Sequence, residues 1–179
     1  KKPLLLTFDD ASLSVAETAL PIMEKYGFIG NLFAVPSLLG GKCVWDGEGE
    51  ASPHRLMTAR ELSDIKNLGW EIGSHTMTHR DLTAITPETA ALEIINSKTE
   101  LEKLLGSRVL FFAYPYGRFN AFLKEKTAAA GYAMAFATEQ GDGSPMAVPR
   151  RIISGRNGLV KFFLRLTRAR KLSKLVFTE

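Results

Sequence analysis

The chain has 179 residues, 45% hydrophobic and 23% charged, with 15 Gly and 8 Pro, as expected of one folded domain with room for a substantial core. No apolar run approaches the roughly 20 residues of a membrane span, and the single cysteine, Cys43, excludes an internal disulfide. Net charge is +4 but uneven: residues 143–178 hold nine Lys/Arg and no acid, whereas residues 1–142 hold 14 Lys/Arg against 18 Asp/Glu. The basic tail reads as a solvated helix face or as a weak contact with an anionic surface, and no nucleic-acid partner is expected. The opening K-K-P-L-L-L-T-F-D-D runs into strand-like sequence without the organisation of a secretory signal, which leaves cytoplasm and bacterial cell envelope both open.

Leu4–Phe8 is a short hydrophobic run, read as the first strand, and stops at Asp9-Asp10. Val15, Ala19, Ile22, Met23 and Tyr26 recur at helical spacing as far as Gly27, a C-cap, although Pro21 sits poorly inside a helix. Asn31–Val35 is the second strand, and an irregular Gly-rich stretch follows over 36–53. Thr58 and Glu61 make a capping-box pattern, opening a helix through Leu62, Ile65 and Leu68 to Gly69. Trp70–Gly73 is strand-like and delivers Ser74-His75. Thr86-Pro87 suits N-cap and N1 of a longer helix running to Gly106. Val109–Tyr114 is a solidly apolar strand, Asn120 caps a helix ending near Gly131, and Ala133–Ala137 is the fifth strand. Val148–Ile153 is a sixth strand despite Pro149, and Asn157 opens a last helix. Such alternation predicts a parallel sheet covered by helices. Six strands are too few for an eight-fold barrel, so the fold class expected is α/β, a reduced, distorted (β/α) barrel in one domain, with a doubly wound open sheet as the rival.

In this layout the polar residues of interest fall at carboxyl ends of strands, where parallel β/α folds place ligands. His75 and His79 are four apart; on a helical turn two such rings share a face and present nitrogens to one ion. No Glu follows the first His, so the H-E-x-x-H zinc pattern does not apply. One aspartate of T-F-D-D would complete a set of two His and one carboxylate, with open positions for water and substrate. Adjacent aspartates on an extended chain point to opposite sides, so the other is free to handle a proton. The bland alternatives are a helix-capping aspartate and a hydrogen-bonded core histidine. The third segment, Tyr114-Pro115-Tyr116-Gly117, is a turn that either lines the core or aims backbone N–H groups at a developing oxyanion.

Taken together, T-F-D-D at 7–10, S-H-T-M-T-H at 74–79 and Y-P-Y-G at 114–117 resemble the NodB-like polysaccharide deacetylases, carbohydrate esterase family four. The likeness covers nearly the whole chain, including A-L-P-I-M-E-K-Y-G-F and A-G-Y-A-M-A-F-A-T between the motifs. It implies a distorted (β/α) barrel and a divalent metal, usually Zn2+ with Co2+, Ni2+ and Fe2+ also suited, held by Asp10, His75 and His79. It also implies Asp9 as catalytic base, the Tyr116 backbone N–H as oxyanion donor, and hydrolysis of an N-acetyl or O-acetyl group on a carbohydrate. Tyr114, Pro115, Trp45 and Arg150 are expected to contact that substrate. Three positions depart from the pattern. Ala11 stands where the family usually has Gly. Ala113 stands where an Arg usually orients the base; Arg150 or Arg151 is either its replacement from another strand or simple solvated charge. The late Leu-x-His motif is missing, which leaves His54, metal-bound water or protonated Asp9 as general acid. A domain of this type that binds sugar or metal with little turnover is the alternative.

Overall fold

The structure is a computed structural model describing residues 4–43, 55–153 and 158–168. Trp45, His54 and Asn157 lie outside the described residues. In chain order the elements are β1 (Thr7–Phe8), a wide π-type turn (Val15–Ala19) running into α1 (Leu20–Lys25), β2 (Asn31–Ala34), α2 (Ala59–Asn67), β3 (Glu71–Ser74), α3 (Pro87–Leu105), β4 (Phe111–Ala113), α4 (Ala121–Ala129), β5 (Met134–Phe136) and α5 (Leu159–Arg168). The five strands are parallel and pair in chain order, β1-β2-β3-β4-β5. A doubly wound sheet requires the strand order to reverse at a switch point. No reversal occurs here, and the sheet is a curled half-barrel, as the reduced-barrel reading expects.

Local signals decide the element ends. Thr58 Oγ1 accepts from the Glu61 N–H at 3.2 Å while a Glu61 carboxylate oxygen accepts from the Thr58 N–H at 2.7 Å, a reciprocal capping box at the start of α2. Thr86 and Asn120 cap α3 and α4 through their side-chain oxygens, and Gly106 ends α3 with a left-handed φ of 61°. Pro21 lies in the first turn of α1, where its missing N–H costs nothing, so the expected single helix divides at that point. The first strand is shorter than its apolar run, because Leu4 and Leu5 are exposed beyond it. The expected sixth strand reduces to one parallel bridge, Phe136 to Val148, since Pro149 has no N–H to continue the ladder. Arg165 of α5 bonds the Ile152 carbonyl and lies 3.4 Å from Glu139, so part of the basic tail is tied back onto the domain.

The core fills both sides of the sheet. Leu32, Ala34, Ile72 and Phe112 of the strands pack with Leu62, Ile65, Ala90, Ile94 and Leu101 of the helices. Each fully buried leucine or isoleucine of this set contributes about 1.5–3 kcal/mol of transfer free energy. Because the register pairs Ala34 with Ser74 and Ser74 with Phe112, the ends of β2, β3 and β4 lie side by side. The next residues of the chain, from β1, β3 and β4, form one rim.

Candidate metal centre and its carboxylate neighbour

His75 and His79 leave the carboxyl end of β3, but not on a helix. Residues 75–79 are a loop in which Thr76 (φ 68°) and His79 (φ 60°) adopt left-handed backbone. The shared face expected from helical spacing therefore comes from a loop folded back on itself. Left-handed φ at a non-glycine residue costs about 1–3 kcal/mol and persists only where surroundings enforce it. Here the His75 N–H donates to the Ala34 carbonyl at 2.9 Å and the His79 N–H to Thr76 Oγ1 at 3.0 Å. The Met77 carbonyl accepts from both the N–H and the hydroxyl of Ser37. Among the described residues, the non-glycine residues with positive φ are Asp10, Ala11, Thr76, His79 and Tyr116, all in or beside the three motif segments. Ala11, at the family's usual glycine position, has φ 54°, a conformation that glycine adopts without a Cβ penalty.

His75 Nδ1 lies 2.7 Å from the Ala113 carbonyl. A carbonyl only accepts, so Nδ1 carries the proton and, in the neutral ring, Nε2 carries the lone pair. That nitrogen sits 3.6 Å from Asp10 Oδ1, and His79 Nε2 sits 3.2 Å from the same oxygen. An imidazole lone pair facing a carboxylate oxygen is two acceptors meeting, an arrangement that a cation between them resolves. The three donor atoms lie within 4.8 Å of one another, and no other His/Cys/Asp/Glu group among the described residues does so. Burial, with His75 next to it, pushes the His79 pKa down to about 3, against the opposing pull of Asp9. His79 is thus neutral and able to ligate at ordinary pH. One carboxylate and two nearly buried imidazoles, one of them fixed in tautomer by a backbone carbonyl, fit a divalent cation with open positions left for other ligands.

Asp9 points elsewhere; the divergence comes from a turn in which Asp10 has a left-handed φ of 69°, and not from alternation along an extended chain. Its two oxygens accept from Arg150 Nη1 and Nη2 at 2.7 and 2.8 Å, a bidentate pair. Arg150 is itself fixed: Nε donates to the Ala137 carbonyl at 3.1 Å, Nη1 also reaches Thr7 Oγ1 at 3.2 Å, and the guanidinium lies 5.4 and 5.9 Å from the ring centres of Phe33 and Phe136. Burial raises the pKa of Asp9, but the charges of His75 (when protonated) and Arg150, with the Arg150 hydrogen bonds, outweigh it and hold the carboxyl below its ordinary 3.8. About a third of the Asp9 side chain, 35%, still meets solvent, so the charged group is walled in yet reachable.

Residues 1–135, well over half of the chain, match the sequence profile of the family described as Polysaccharide deacetylase. The chain belongs to that family. It is 28% identical over 144 residues to YxkH of Bacillus subtilis (strain 168), itself assigned to the polysaccharide deacetylases by inference, covering 80% of this chain and 47% of YxkH. It is 25% identical over 169 residues to the poly-beta-1,6-N-acetyl-D-glucosamine N-deacetylase of Staphylococcus aureus (strain MRSA252), covering 86% of this chain and 55% of that protein. The chain thus spans about half the length of these curated relatives. Among solved structures, the Streptococcus pyogenes deacetylase PplD, in complex with acetate, superposes with a TM-score of 0.77 at 25% identity, over 92% of this chain and 70% of that one.

Within this deacetylase family frame, the remaining site expectations divide. Arg150, rather than Arg151, meets Asp9. Ala113, at the position of the family's usual arginine, belongs to the same small cluster of Phe33 and Phe136 on which Arg150 stacks. An arginine from the far side of β5 thus occupies ground that a β4 arginine would need. Arg150 was expected at the substrate; its guanidinium ends are instead committed to Asp9. Tyr114 and Pro115 were expected there too, and both are buried. The Tyr114 hydroxyl bonds Thr127 Oγ1 and the Met146 carbonyl at 3.2 and 3.0 Å, and burial pushes its pKa up to about 12. Tyr116 is the half-exposed member of the turn, with φ 58° and its ring 5.1 Å from that of His79.

Proposed function

We propose that this domain is a metal-dependent hydrolase that removes acetyl groups, N-linked or O-linked, from a carbohydrate. The observation that carries the reading is the division of labour at the end of β1: Asp10 faces His75 and His79, while Asp9 beside it is held as a carboxylate by Arg150. Asp10, His75 and His79 would hold the cation, Zn2+ in the first instance, with Co2+, Ni2+ and Fe2+ compatible with the same donors. When bound, such a cation supplies Lewis acidity, polarising an acetyl carbonyl and acidifying water. Asp9 takes the proton of the attacking water, and Arg150 keeps its carboxylate oriented and charged between turnovers. The Tyr116 backbone N–H, in its left-handed turn beside His79, is the chain's donor to the developing oxyanion. As the acyl–nitrogen or acyl–oxygen bond breaks, protonated Asp9 returns its proton to the leaving atom, with His54 as the other donor in the sequence. The half-exposed Tyr116 ring offers a face to the sugar.

The family supports an acetylated polysaccharide as substrate, and the polymer named for the Staphylococcus aureus relative belongs first in any panel. Acetate released from β-1,6- and β-1,4-linked N-acetylglucosamine oligomers and from O-acetylated xylan is measured with chelator-stripped and Zn2+-restored protein. Activity that disappears on stripping and returns with Zn2+ is expected. Equal release in both states, or none from any substrate at full metal occupancy, contradicts the proposal. The alternative reading is a domain of this family that binds sugar with little turnover. Saturable glycan binding without acetate release from the Zn2+-restored protein would select it.

A further inference from the structure

The α3 face that packs inward carries Ala90, Glu93, Ile94, Ser97 and Leu101. Four of these suit a core-facing stripe, being small, apolar or neutral. Glu93 does not. It is a buried carboxylate, 8% exposed, on the apolar side of a helix, a position where an acid is rarely found unless it is paired. Its two oxygens are used by one residue of the ligand loop. Glu93 Oε2 accepts from the Thr78 backbone N–H at 2.8 Å and Oε1 from the Thr78 hydroxyl at 2.6 Å. The acid thus reaches 15 residues back along the chain and grips the position just before His79.

What the grip opposes is visible in the backbone. Thr76 and His79 both adopt left-handed φ, and Thr76 is β-branched, which makes that conformation costlier still. The Thr76 hydroxyl and Ser37 hold the loop at residues 79 and 77; Glu93 holds it at 78 with two charge-assisted bonds, the strongest of the set by type. Release of Thr78 would let His79 relax toward ordinary φ, swinging its Nε2 away from Asp10. A buried acid serving only the packing of α3 would be replaced at no loss by an apolar residue; one that clamps a strained loop would not.

We infer that Glu93 is a positioning residue for the metal centre: its carboxylate, acting through Thr78, holds His79 in the conformation that ligates. This rests on the proposed metal site and deepens it. Metal-ligand supports of this kind are typically worth 10–100-fold in affinity. Zn2+ affinity by chelator competition, the visible spectrum of the Co2+-substituted protein, and amide hydrogen exchange of residues 75–79 in the metal-free protein are compared for wild type, Glu93→Ala, Glu93→Gln and Thr78→Ala. Glu93→Ala is expected to bind Zn2+ 10–100-fold more weakly, to alter the Co2+ spectrum, and to exchange faster across the loop. Glu93→Gln, which keeps an acceptor for the Thr78 N–H, should stay within a few-fold of wild type, and Thr78→Ala should lose several-fold. A folded Glu93→Ala protein with wild-type Zn2+ affinity and loop exchange, whatever its melting temperature, overturns the assignment. If Glu93→Ala does not fold, unchanged affinity and exchange in Thr78→Ala overturn it equally. Failure of the wild type to bind Zn2+ contradicts the site itself, and unchanged loop exchange in Glu93→Ala still decides against the clamp.

Discussion

Asp9, as the proposed general base, has to be charged, partly shielded and held in one orientation, and these demands conflict. Burial pushes the carboxyl's pKa up; the charge of His75, when protonated, and the bidentate Arg150 pair outweigh it, and Arg150 holds both oxygens in one plane. Lysine offers a point charge without that fork. Arg150→Lys is therefore expected to lower kcat about 10²-fold, the scale of a misplaced catalytic group, while leaving Zn2+ affinity within a few-fold of wild type. Steady-state kinetics together with metal titration check this; a lysine variant with full kcat would show that Arg150 is structural only. Residue-scale legibility was uneven. T-F-D-D and His75-x-x-x-His79 announce a donor set because ligand chemistry restricts the residue types. The partner of Asp9 was narrowed only to Arg150 or Arg151, since neighbours on an extended chain face opposite ways and only the register of the chain beside β5 decides between them. Tyr114 could not be separated from Tyr116 by type; one is buried and the other half-exposed because the turn reverses at Tyr116.

Among the elements, β3 links fold and site through a glycine. A Cβ on Gly73 would lie 2.5 Å from the Phe33 ring and 3.0 Å from the Phe111 carbonyl, and Phe33 is buried under Arg150 with nowhere to turn. Gly73→Ala should destabilise the domain by about 1–3 kcal/mol, the usual scale of overpacking, and lower kcat more than it changes KM, because the displaced ring carries Arg150. Denaturant unfolding and kinetics on one preparation test both halves. The capping box of α2 gives a pH-dependent case. The Thr58 backbone N–H, followed by Arg55, holds Glu61 below its ordinary 4.5, so its contribution is present above that pH and is lost as pH falls through the lower folded value. Wild type should thus exceed Glu61→Gln in stability at pH 7, and the gap should close as pH falls below 4.5 and through the lower folded value; Thr58→Ala should cost about 1 kcal/mol. These caps were readable in advance because each needs only residues three apart. The helical turn on which the His75–His79 spacing was read is a loop instead: spacing of four is shared by a helical turn and by a loop with two left-handed residues, and no local pattern tells them apart.

For the whole molecule, chain-order pairing of five parallel strands brings segments 65 residues apart, Asp10 and His75, to one rim. The alternation of apolar strands and helices made that architecture legible, whereas the loss of the sixth strand turned on one proline. A site assembled from distant segments couples ligand binding to global stability. At a free Zn2+ concentration 100 times Kd, linkage contributes about 2.7 kcal/mol, which for a domain of this size is a rise of roughly 5–10 °C in Tm. His75→Ala should abolish the rise, and calorimetry with and without Zn2+ reads it directly. The central claim, that Asp9 acts as base beside a cation on Asp10, His75 and His79, meets its most direct test in acetate release by wild type and Asp9→Asn at matched, measured metal content. The account predicts that Asp9→Asn retains Zn2+ and loses about 10²–10⁴ in rate; equal rates at equal metal content would contradict it.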